Sequence, residues 1–251
     1  LSIRYSMPQW IVDRFVSAYG EKKAEEIFKA FHSKSTISIR TNLTRCTPDE
    51  LRAMLEAEGV TVTAVDELDY AFVISGFDYL NGLQTFRDGL FYVQDISSML
   101  VAQTAAPKKG DYVIDVCAAP GGKSTHIAEL LQGSGHVLAR DLTDNKVGMI
   151  EENIDRHGLN NMSAEVWDAT VPDADSAGKA DILICDLPCS GLGVLGRKKD
   201  IRYKMTPESV DELAALQRRS LNWIRTLLRA PEWNRYCPVS MEVTDSLLQD
   251  L

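Results

Sequence analysis

The sequence predicts a doubly wound parallel α/β sheet preceded by a small α+β domain, and three observations lead to this fold class. From residue 87 onward, short apolar runs alternate with segments of helical periodicity, which is the rhythm of a parallel sheet with crossover helices. Before that point the order is two helices, a strand, a helix and two strands. The 251 residues suffice for two modest domains. We therefore place an N-terminal domain at 1–86 and a sheet domain at 87–251.

The N-terminal domain begins with two amphipathic segments, "SMPQWIVDRFVSAYG" and "EKKAEEIFKAF". The strands that follow are "STISIRTN", "VTVTAV" and "AFVIS". Between the first two strands, "TPDELRAMLEAEG" has Thr47 as the N-cap, Pro48 as the first helical residue and Glu50 to close a capping box. A strand, a helix and two strands over about eighty residues indicate a small α+β layer.

The sheet domain repeats strand and helix. We predict strands in "GLFYVQD", "DYVIDV", "GHVLARD", "SAEVWDA" and "ADILICD". The helices between or after them are "ISSMLVAQTA", "KSTHIAELLQ", "TDNKVGMIEENIDRHG" and the long "TPESVDELAALQRRSLNWIRTLLR". This order predicts a doubly wound parallel sheet.

The composition excludes several classes of protein. The chain is 45% hydrophobic and 25% charged, as in ordinary globular proteins, and it has no apolar run of membrane-spanning length. Five cysteines without a framework spacing predict a reduced, cytoplasmic protein. Cys185 and Cys189 lack a second pair or nearby histidines, so we expect no metal site. A net charge of −9 argues against nonspecific nucleic-acid binding by the whole surface, but not against a local basic patch.

The stretch "DVCAAPGGKST" ends like a nucleotide-binding P-loop. A P-loop needs a glycine five positions before Gly122, and that residue is Cys117. No strand ends in the acidic pair that accompanies such loops. The sequence therefore does not predict a phosphate cradle at this position.

A second glycine motif, "GLGVLG" at 191–196, matches the dinucleotide fingerprint in its letters. That fingerprint joins a strand directly to a helix. Here the basic segment "RKKDIRYKMTP" follows instead. We interpret 191–196 as a flexible loop beside a site.

Acidic residues end the strands that follow the small-residue loop. These are Asp141, Asp168 and Asp186. Ligands of such sheets bind beyond the carboxyl ends of the strands. Carboxylates there suit ribose hydroxyls, an adenine amine and an amino-acid ammonium group, so the pattern predicts S-adenosylmethionine as the ligand. The small side chains of the loop allow close approach of its backbone.

Three stretches, "VQDISSMLVA", "VIDVCAAPGGKSTHIAELL" and "DLPCSGLGVLGRKKDIRY", resemble the bacterial Sun/RsmB-type ribosomal RNA cytosine-C5 methyltransferases of the NOL/NOP/Sun family. "LSIRYSMPQWIV" and "ISIRTN" resemble the segment ahead of that family's catalytic domain. The resemblance covers nearly the whole chain. It implies a Rossmann-like methyltransferase sheet, an RRM-like N-terminal layer and small-subunit ribosomal RNA as the substrate of a monomeric enzyme.

The resemblance also implies site residues. The cofactor loop would comprise Cys117, Ala118, Ala119, Pro120, Gly121, Gly122 and Lys123. Asp141 would bind the ribose, Asp168 would lie near the adenine, and Asp186 near the methionine end and the target base. The family's NusB-like helical domain is not in this sequence, and the chain begins with Leu1. We therefore expect a piece of a longer protein.

Methylation of cytosine carbon 5 needs a thiolate, because the carbon is a poor nucleophile until a thiolate adds to carbon 6. Cys189 follows Asp186 by three residues in "DLPCSG", and chemistry alone favours it as the nucleophile. The family implies a different arrangement, in which a second cysteine, in a Ser-Thr-Cys segment, attacks and the cysteine of "PCSG" assists product release.

The end of the chain departs from the family pattern. After "SLNWIRTLL" the sequence reads "RAPEWNRYCPVSMEVTDSLLQDL", without Ser-Thr-Cys. Val239 occupies the expected position, and Cys237 is a weaker candidate two residues earlier. We expect a truncated or frame-shifted product that is atypical from about residue 229 and lacks the last strands of the sheet. It could be an active enzyme or a catalytically impaired cofactor- and RNA-binding remnant.

A basic segment follows the "PCSG" motif. It contains Arg197, Lys198, Lys199, Arg202 and Lys204 against one acidic residue. Basic runs usually form solvated surfaces, but this one follows a glycine-rich loop beside the predicted site. We expect these five residues to bind phosphates of the RNA.

Overall fold

The structure, a computed structural model, describes residues 1–33 and 36–229, together with the backbone of 236–238. Its helices are α1 (Ser2–Tyr5), α2 (Gln9–Tyr19), α3 (Glu21–Ala30), α4 (Pro48–Ala57), α5 (Gln84–Arg87), α6 (Ile96–Ala105), α7 (Gly122–Leu130), α8 (Asp144–His157), α9 (Ile201–Lys204) and α10 (Pro207–Ile224). Its strands are β1 (Ile37–Thr41), β2 (Thr61–Val65), β3 (Leu68–Ser75), β4 (Phe91–Val93), β5 (Tyr112–Asp115), β6 (His136–Asp141), β7 (Met162–Val166), β8 (Ile182–Cys185) and β9 (Tyr236–Pro238). Single turns of 3-10 helix occur at Leu80–Gly82, Leu192–Val194 and Arg225–Leu227.

Strands β1 to β4 form an antiparallel sheet in the order β2-β3-β1-β4. With α4 between β1 and β2, and α5 before β4, the chain follows the βαββαβ path of RRM-like and ferredoxin-like domains. Helix α4 begins as predicted, because the Thr47 Oγ1 accepts from the Glu50 N–H and the Glu50 carboxylate accepts from the Thr47 N–H at 2.8 Å. The predicted α+β layer is therefore confirmed.

Strand β4 belongs to this small sheet. It pairs with β1 in the register Ile39↔Val93, and Phe91 is fully buried in the core of the small sheet with Ile39. The sequence pattern assigned this apolar run to the second domain, because a short strand does not show which sheet it joins. The small sheet thus extends past residue 87, while the domain limits 1–86 and 87–251 stay a prediction.

Strands β5 to β9 form a parallel sheet in the order β7-β6-β5-β8-β9. One apolar cluster covers the face that carries α6, α7 and α8, with Val113, Ile127 and Ile150 fully buried. Another cluster on Ile114 and Leu183 includes the end of α10, with Ile224 fully buried. Apolar clusters on both faces confirm the doubly wound parallel sheet.

One short strand follows β8 in the tail, where the sequence predicts that the last strands of the sheet are missing. The backbone of β9 pairs with β8 in the register Ile184↔Cys237. A three-residue strand can form on the open edge of β8 through main-chain hydrogen bonds alone, so it needs no apolar alternation that a sequence pattern would show. The remaining residues of the predicted atypical tail lie outside the described part of the chain.

The chain divides into two units. In its described residues, the first unit combines the N-terminal helices at 1–33 with 188–219, and the second contains both sheets at 36–187 together with 220–229 and 236–238. Among the described residues, no helix is both long enough and apolar enough to cross a membrane. In that same part of the chain, no group of three His, Cys, Asp or Glu residues could hold a metal ion.

A buried arginine joins the two sheets of the second unit. Arg40 on β1 is 1% exposed, and its guanidinium forms an ion pair with Glu129 of α7. The same guanidinium donates to Gln94 Oε1 at 2.8 Å and to Thr125 Oγ1 at 3.1 Å. All three of its nitrogens therefore have acceptors, as a buried cation requires.

We expect Arg40→Met to lower the free energy of unfolding by about 3–5 kcal/mol, because it leaves the Glu129 carboxylate buried without its cation. The double variant Arg40→Met/Glu129→Met should recover most of that loss, since it removes both charges. Urea unfolding measures both values. Arg14→Ala, an exposed arginine on α2, serves as a control that should change stability by less than about 0.5 kcal/mol. A double variant no more stable than the single one would contradict the pairing.

Candidate functional site

The loop between β5 and α7 lies at the carboxyl edge of the parallel sheet. Gly121 ends this loop with φ of 104°, a conformation that favours glycine. Two backbone N–H groups of the loop donate to the next strand: the Ala118 N–H donates to the Arg140 carbonyl at 2.8 Å, and the Ala119 N–H donates to the side-chain Oδ2 of Asp141 at 2.9 Å. The loop from Cys117 to Gly122 is therefore held against β6, where the sequence predicted a cofactor loop.

Asp115, the last residue of β5, stabilises this loop through hydrogen bonds. Its carboxylate is 1% exposed and accepts from Ser124 Oγ at 2.6 Å and from the Cys117 N–H at 3.3 Å. Burial raises the pKa of Asp115 to about 6, against the weaker opposing effect of the Ser124 hydrogen bond. Asp115 is not among the site residues predicted from the sequence, although it ends a strand as the other three acids do.

The thiol of Cys117 does not have the properties of a nucleophile. Burial, followed by the nearby charges of Asp115 and Asp141, raises its pKa to about 12. A thiol with such a pKa stays protonated at neutral pH. Cys117 therefore contributes to the structure of the loop through its backbone and its small side chain, and not through a reactive thiol.

Asp141 ends β6 and is 3% exposed. Besides the Ala119 N–H, its carboxylate accepts from the Leu142 N–H and from Lys146 Nζ, each at 2.8 Å. The Lys146 side chain is 47% exposed, so a ribose hydroxyl could replace it at the carboxylate without disturbing the loop. Lys146 was not predicted, because an exposed lysine at the start of a helix carries no sequence signal for this contact.

Asp168 and Asp186 follow the next two strands of the sheet. Asp168 Oδ1 accepts from the Thr170 N–H at 2.8 Å and from its hydroxyl at 2.7 Å, which forms a local turn. Asp186 Oδ2 accepts from Lys123 Nζ at 2.6 Å, and both side chains are partly exposed. The structure thus brings Lys123, predicted only as the end of the loop, directly to Asp186.

The small sheet contributes a second support to the loop. Tyr92 of β4 donates its hydroxyl to the Pro120 carbonyl at 3.1 Å, and Asn153 Nδ2 of α8 donates to the same oxygen at 2.9 Å. The Tyr92 ring also packs on Gly122, where an added Cβ would lie 3.1 Å from the ring. Tyr92 belongs to no recognisable sequence motif, so its contact with the loop cannot be predicted from the sequence.

The two candidate nucleophiles occupy different positions. Cys189 is exposed and follows Asp186 by three residues at the start of the second segment of the first unit. Cys237 lies in β9, where only the backbone is described, opposite Ile184 of β8. Ile184 is two residues before Asp186, so the backbone of Cys237 lies close to the carboxyl edge of the sheet.

The loop at 191–196 contains a 3-10 turn, Leu192–Val194, and does not join a strand to a helix. It continues into the basic segment, where Arg197, Lys198, Lys199 and Lys204 are exposed as an RNA contact requires. Arg202 differs. It is 4% exposed, and its guanidinium donates to main-chain carbonyls, so its burial does not fit the predicted phosphate contact.

Family comparisons match most of the chain. Residues 102–249 match the family model described as "16S rRNA methyltransferase RsmB/F", and residues 7–77 match the one described as "Methyltr_RsmF/B-like, ferredoxin-like domain". A probable ribosomal RNA small subunit methyltransferase B from Bacillus subtilis is 36% identical over 248 residues, which cover 98% of this chain and 55% of that protein. The ribosomal RNA small subunit methyltransferase B of Proteus mirabilis is 31% identical, over 90% of this chain and 53% of that protein. The chain thus spans about half the length of these curated relatives.

Solved structures share the fold. The crystal structure of PH0851 has a TM-score of 0.87 and 27% identity, and the match covers 91% of this chain and 52% of that one. NSun6 from Pyrococcus horikoshii, solved with SFG, has a TM-score of 0.79 and 20% identity, over 97% of this chain and 86% of that one. The match to NSun6 concerns the fold alone.

We expect Asp115→Asn to remove a specific part of the pH dependence of stability. The folded protein keeps a proton on Asp115 up to about pH 6, whereas the unfolded chain releases it near pH 4. The contribution of this group to stability is therefore present below pH 4 and is lost as the pH rises to about 6. Urea unfolding of both proteins at pH 4, 5, 6 and 7 measures it. A difference between them that does not change with pH would contradict the raised pKa.

We expect Tyr92→Phe and Asn153→Ala each to weaken binding of S-adenosylhomocysteine about fivefold, since each removes a hydrogen bond that contributes ~1 kcal/mol to the loop geometry. Calorimetry measures the dissociation constant. Tyr112→Phe is the matched control, because Tyr112 begins β5 and stacks on His136 away from the loop. Equal effects of all three variants would argue against a specific support.

Proposed function

The chain belongs to the RsmB/F family of 16S rRNA methyltransferases, and we propose that it methylates carbon 5 of a cytosine in small-subunit ribosomal RNA with S-adenosylmethionine as the methyl donor. The observation that carries this proposal is the Asp186 carboxylate, held by Lys123 at 2.6 Å three residues before the exposed Cys189. A carboxylate to bind the base and a cysteine to attack it are two of the groups that this reaction needs.

The residues at the carboxyl edge of the sheet fit the cofactor. The loop from Cys117 to Gly122 offers a backbone with small side chains, and Asp141 and Asp168 offer carboxylate oxygens that accept from hydroxyl and amino groups. We assign Asp141 to the ribose hydroxyls and Asp168 to the adenine side. When bound, the cofactor supplies an electrophilic methyl group.

The target base requires a hydrogen-bond acceptor opposite its exocyclic amine. Carboxylates accept from cytosine N4, and Asp186 is 33% exposed in its side chain, so it remains accessible to a base. Lys123 fixes the orientation of this carboxylate by its hydrogen bond. Uracil offers a carbonyl instead of the amine, so Asp186 would discriminate against it. An enzyme acting on a base within RNA must also take the base out of its stack.

The cysteine makes carbon 5 reactive. The thiolate sulfur bonds to carbon 6, and the electrons of the C5–C6 double bond pass into an enamine whose carbon 5 is nucleophilic. After carbon 5 has been methylated, a base removes its proton, the C5–C6 double bond re-forms and the thiolate leaves. We propose Cys189 as the nucleophile from its position and exposure. The family arrangement makes Cys237 the competing candidate and would give Cys189 the role of assisting product release.

A catalytically impaired cofactor- and RNA-binding protein is the alternative function. The specific observation in its favour is the tail sequence, in which Val239 occupies the position of the family's second cysteine. Such a protein would keep the loop and the acids of the sheet edge, since neither depends on the tail. The two functions therefore agree on cofactor binding and differ on methyl transfer.

We expect the wild-type chain to transfer tritiated methyl groups to small-subunit ribosomal RNA, and Cys189→Ala to lower the rate by at least about a thousandfold. Cys46→Ala is the control, because this half-buried cysteine belongs to the small sheet. RNA that contains 5-fluorocytosine should form an adduct with wild type that survives denaturation, since carbon 5 then carries no proton to remove.

The outcomes separate the hypotheses. Loss of both the adduct and the transfer in Cys237→Ala, with the adduct retained in Cys189→Ala, would assign the attack to Cys237. Calorimetric binding of S-adenosylhomocysteine without any transfer by wild type would favour the alternative function. Absence of cofactor binding would contradict both.

A further inference from the structure

In the part of the chain that the structure describes, the first unit is built from two segments far apart in the sequence. The N-terminal helices and the segment after Asp186 share one apolar cluster, in which Ile11 and Phe28 are fully buried together with Leu195. Leu192, from the 3-10 turn, is 8% exposed in the same cluster. The glycine-rich loop at 191–196 is thus anchored to α2 and α3 through its leucines, although its composition suggests flexibility.

The backbones of these segments touch where the basic run begins. A Cβ added to Gly196 would lie 3.2 Å from both the Cα and the carbonyl oxygen of Phe31, just after α3. Arg197, Lys198 and Lys199 follow immediately and are exposed. The position of the basic run is therefore set by the end of α3.

Arg202 fastens the other end of the run. Its Nη1 donates to the Ser6 carbonyl at 3.2 Å and to the Tyr5 carbonyl at 3.4 Å, and its Nε donates to the Lys199 carbonyl at 3.0 Å. Tyr5 and Ser6 end α1, where a cation also meets the negative end of the backbone dipoles. The Arg202 guanidinium thus forms hydrogen bonds both within the basic run and to residues at the end of α1.

The exposed surface of this unit suits single-stranded RNA. Its described residues carry twelve Lys and Arg against eight Asp and Glu, whereas the whole chain has a net charge of −9. Tyr203 is 71% exposed between Arg202 and Lys204, and an exposed aromatic ring among cations is the usual platform for stacking an unpaired base.

We infer that α1, α2, α3 and the Arg197–Lys204 run form one docking surface for single-stranded RNA, in which Arg202 is a positioning residue. The inference rests on the proposed function for the identity of the nucleic acid. It assigns to the N-terminal helices a role in RNA binding. It also changes the role of Arg202, which does not contact a phosphate but holds the neighbouring cations in position.

The test separates the positive charge of Arg202 from the geometry of its hydrogen bonds. Arg202→Lys keeps the charge, but a single ammonium cannot replace both Nε, which donates to the Lys199 carbonyl, and Nη1, which donates to the Tyr5 and Ser6 carbonyls. We expect it to weaken binding of a short fluorescein-labelled single-stranded RNA about tenfold and to reduce the salt dependence of binding, because the run is no longer held in place. Arg202→Ala should behave alike. Arg219→Ala, which removes one exposed positive charge from α10, in the same unit but outside the proposed surface, should change affinity less than about twofold.

Two further measurements keep the result unambiguous. Lys198→Ala/Lys199→Ala removes contacts directly and should lower the slope of log K against log salt by about 1.4. Gly196→Ala pushes the basic run away from Phe31 and should weaken RNA binding in the same way as Arg202→Lys. If Arg202→Lys does not fold, Gly196→Ala tests whether the position of the run determines the affinity for RNA. Binding of S-adenosylhomocysteine should be unchanged in every folded variant.

Wild-type affinity in Arg202→Lys together with a loss in Arg202→Ala would show that Arg202 contributes only its charge and would overturn the inference. Wild-type affinity in a folded Gly196→Ala would contradict the anchoring by α3. A wild-type chain that binds RNA without methylating it would contradict the proposed activity but leave the docking surface standing.

Discussion

The ion pair between Arg40 and Glu129 is the constraint on which the second unit depends. A guanidinium removed from water needs a full set of acceptors. Arg40 finds them in Gln94 beside β4 and in Thr125 and Glu129 on α7, a helix that packs on the parallel sheet. Helix α7 is the helix that starts at the cofactor loop. The requirement for charge compensation in the interior therefore fixes the helix whose first turn closes the candidate site, and it makes the small sheet a part of that site.

The same packing covers one face of the small, RRM-like sheet. RRM domains stack bases on the open face of their sheet, but here that face is covered. Tyr70 and Ala71 of β3 are buried with Met99 of α6, and the Ser38 hydroxyl of β1 donates to the Gln94 carbonyl. The face that would otherwise bind RNA holds the parallel sheet's helices in place. The docking surface inferred above lies instead on the first unit, whose described residues carry an excess of positive charge.

Local signals in the sequence predicted what depends on local structure. The capping box of Thr47 and Glu50, the alternation of strands and helices and the acids at the strand ends need only neighbouring residues, and the structure contains each of them. The pattern could not predict contacts between distant residues. Arg202 looks like its exposed neighbours in a basic run, yet carbonyls nearly two hundred positions earlier bury it. Lys123 and Asp186 are likewise 63 residues apart.

The discontinuity of the first unit has a consequence for biosynthesis. Chains fold from the N-terminus as they leave the ribosome, but Met7 and Phe28 belong to an apolar cluster completed only by Leu192 and Leu195. The apolar faces of α2 and α3 therefore lack these two leucines while strands β1 to β8 emerge. The second unit can acquire its small sheet and its first parallel strands during that interval. Residues 7–28 are therefore synthesised long before the leucines that complete their apolar cluster.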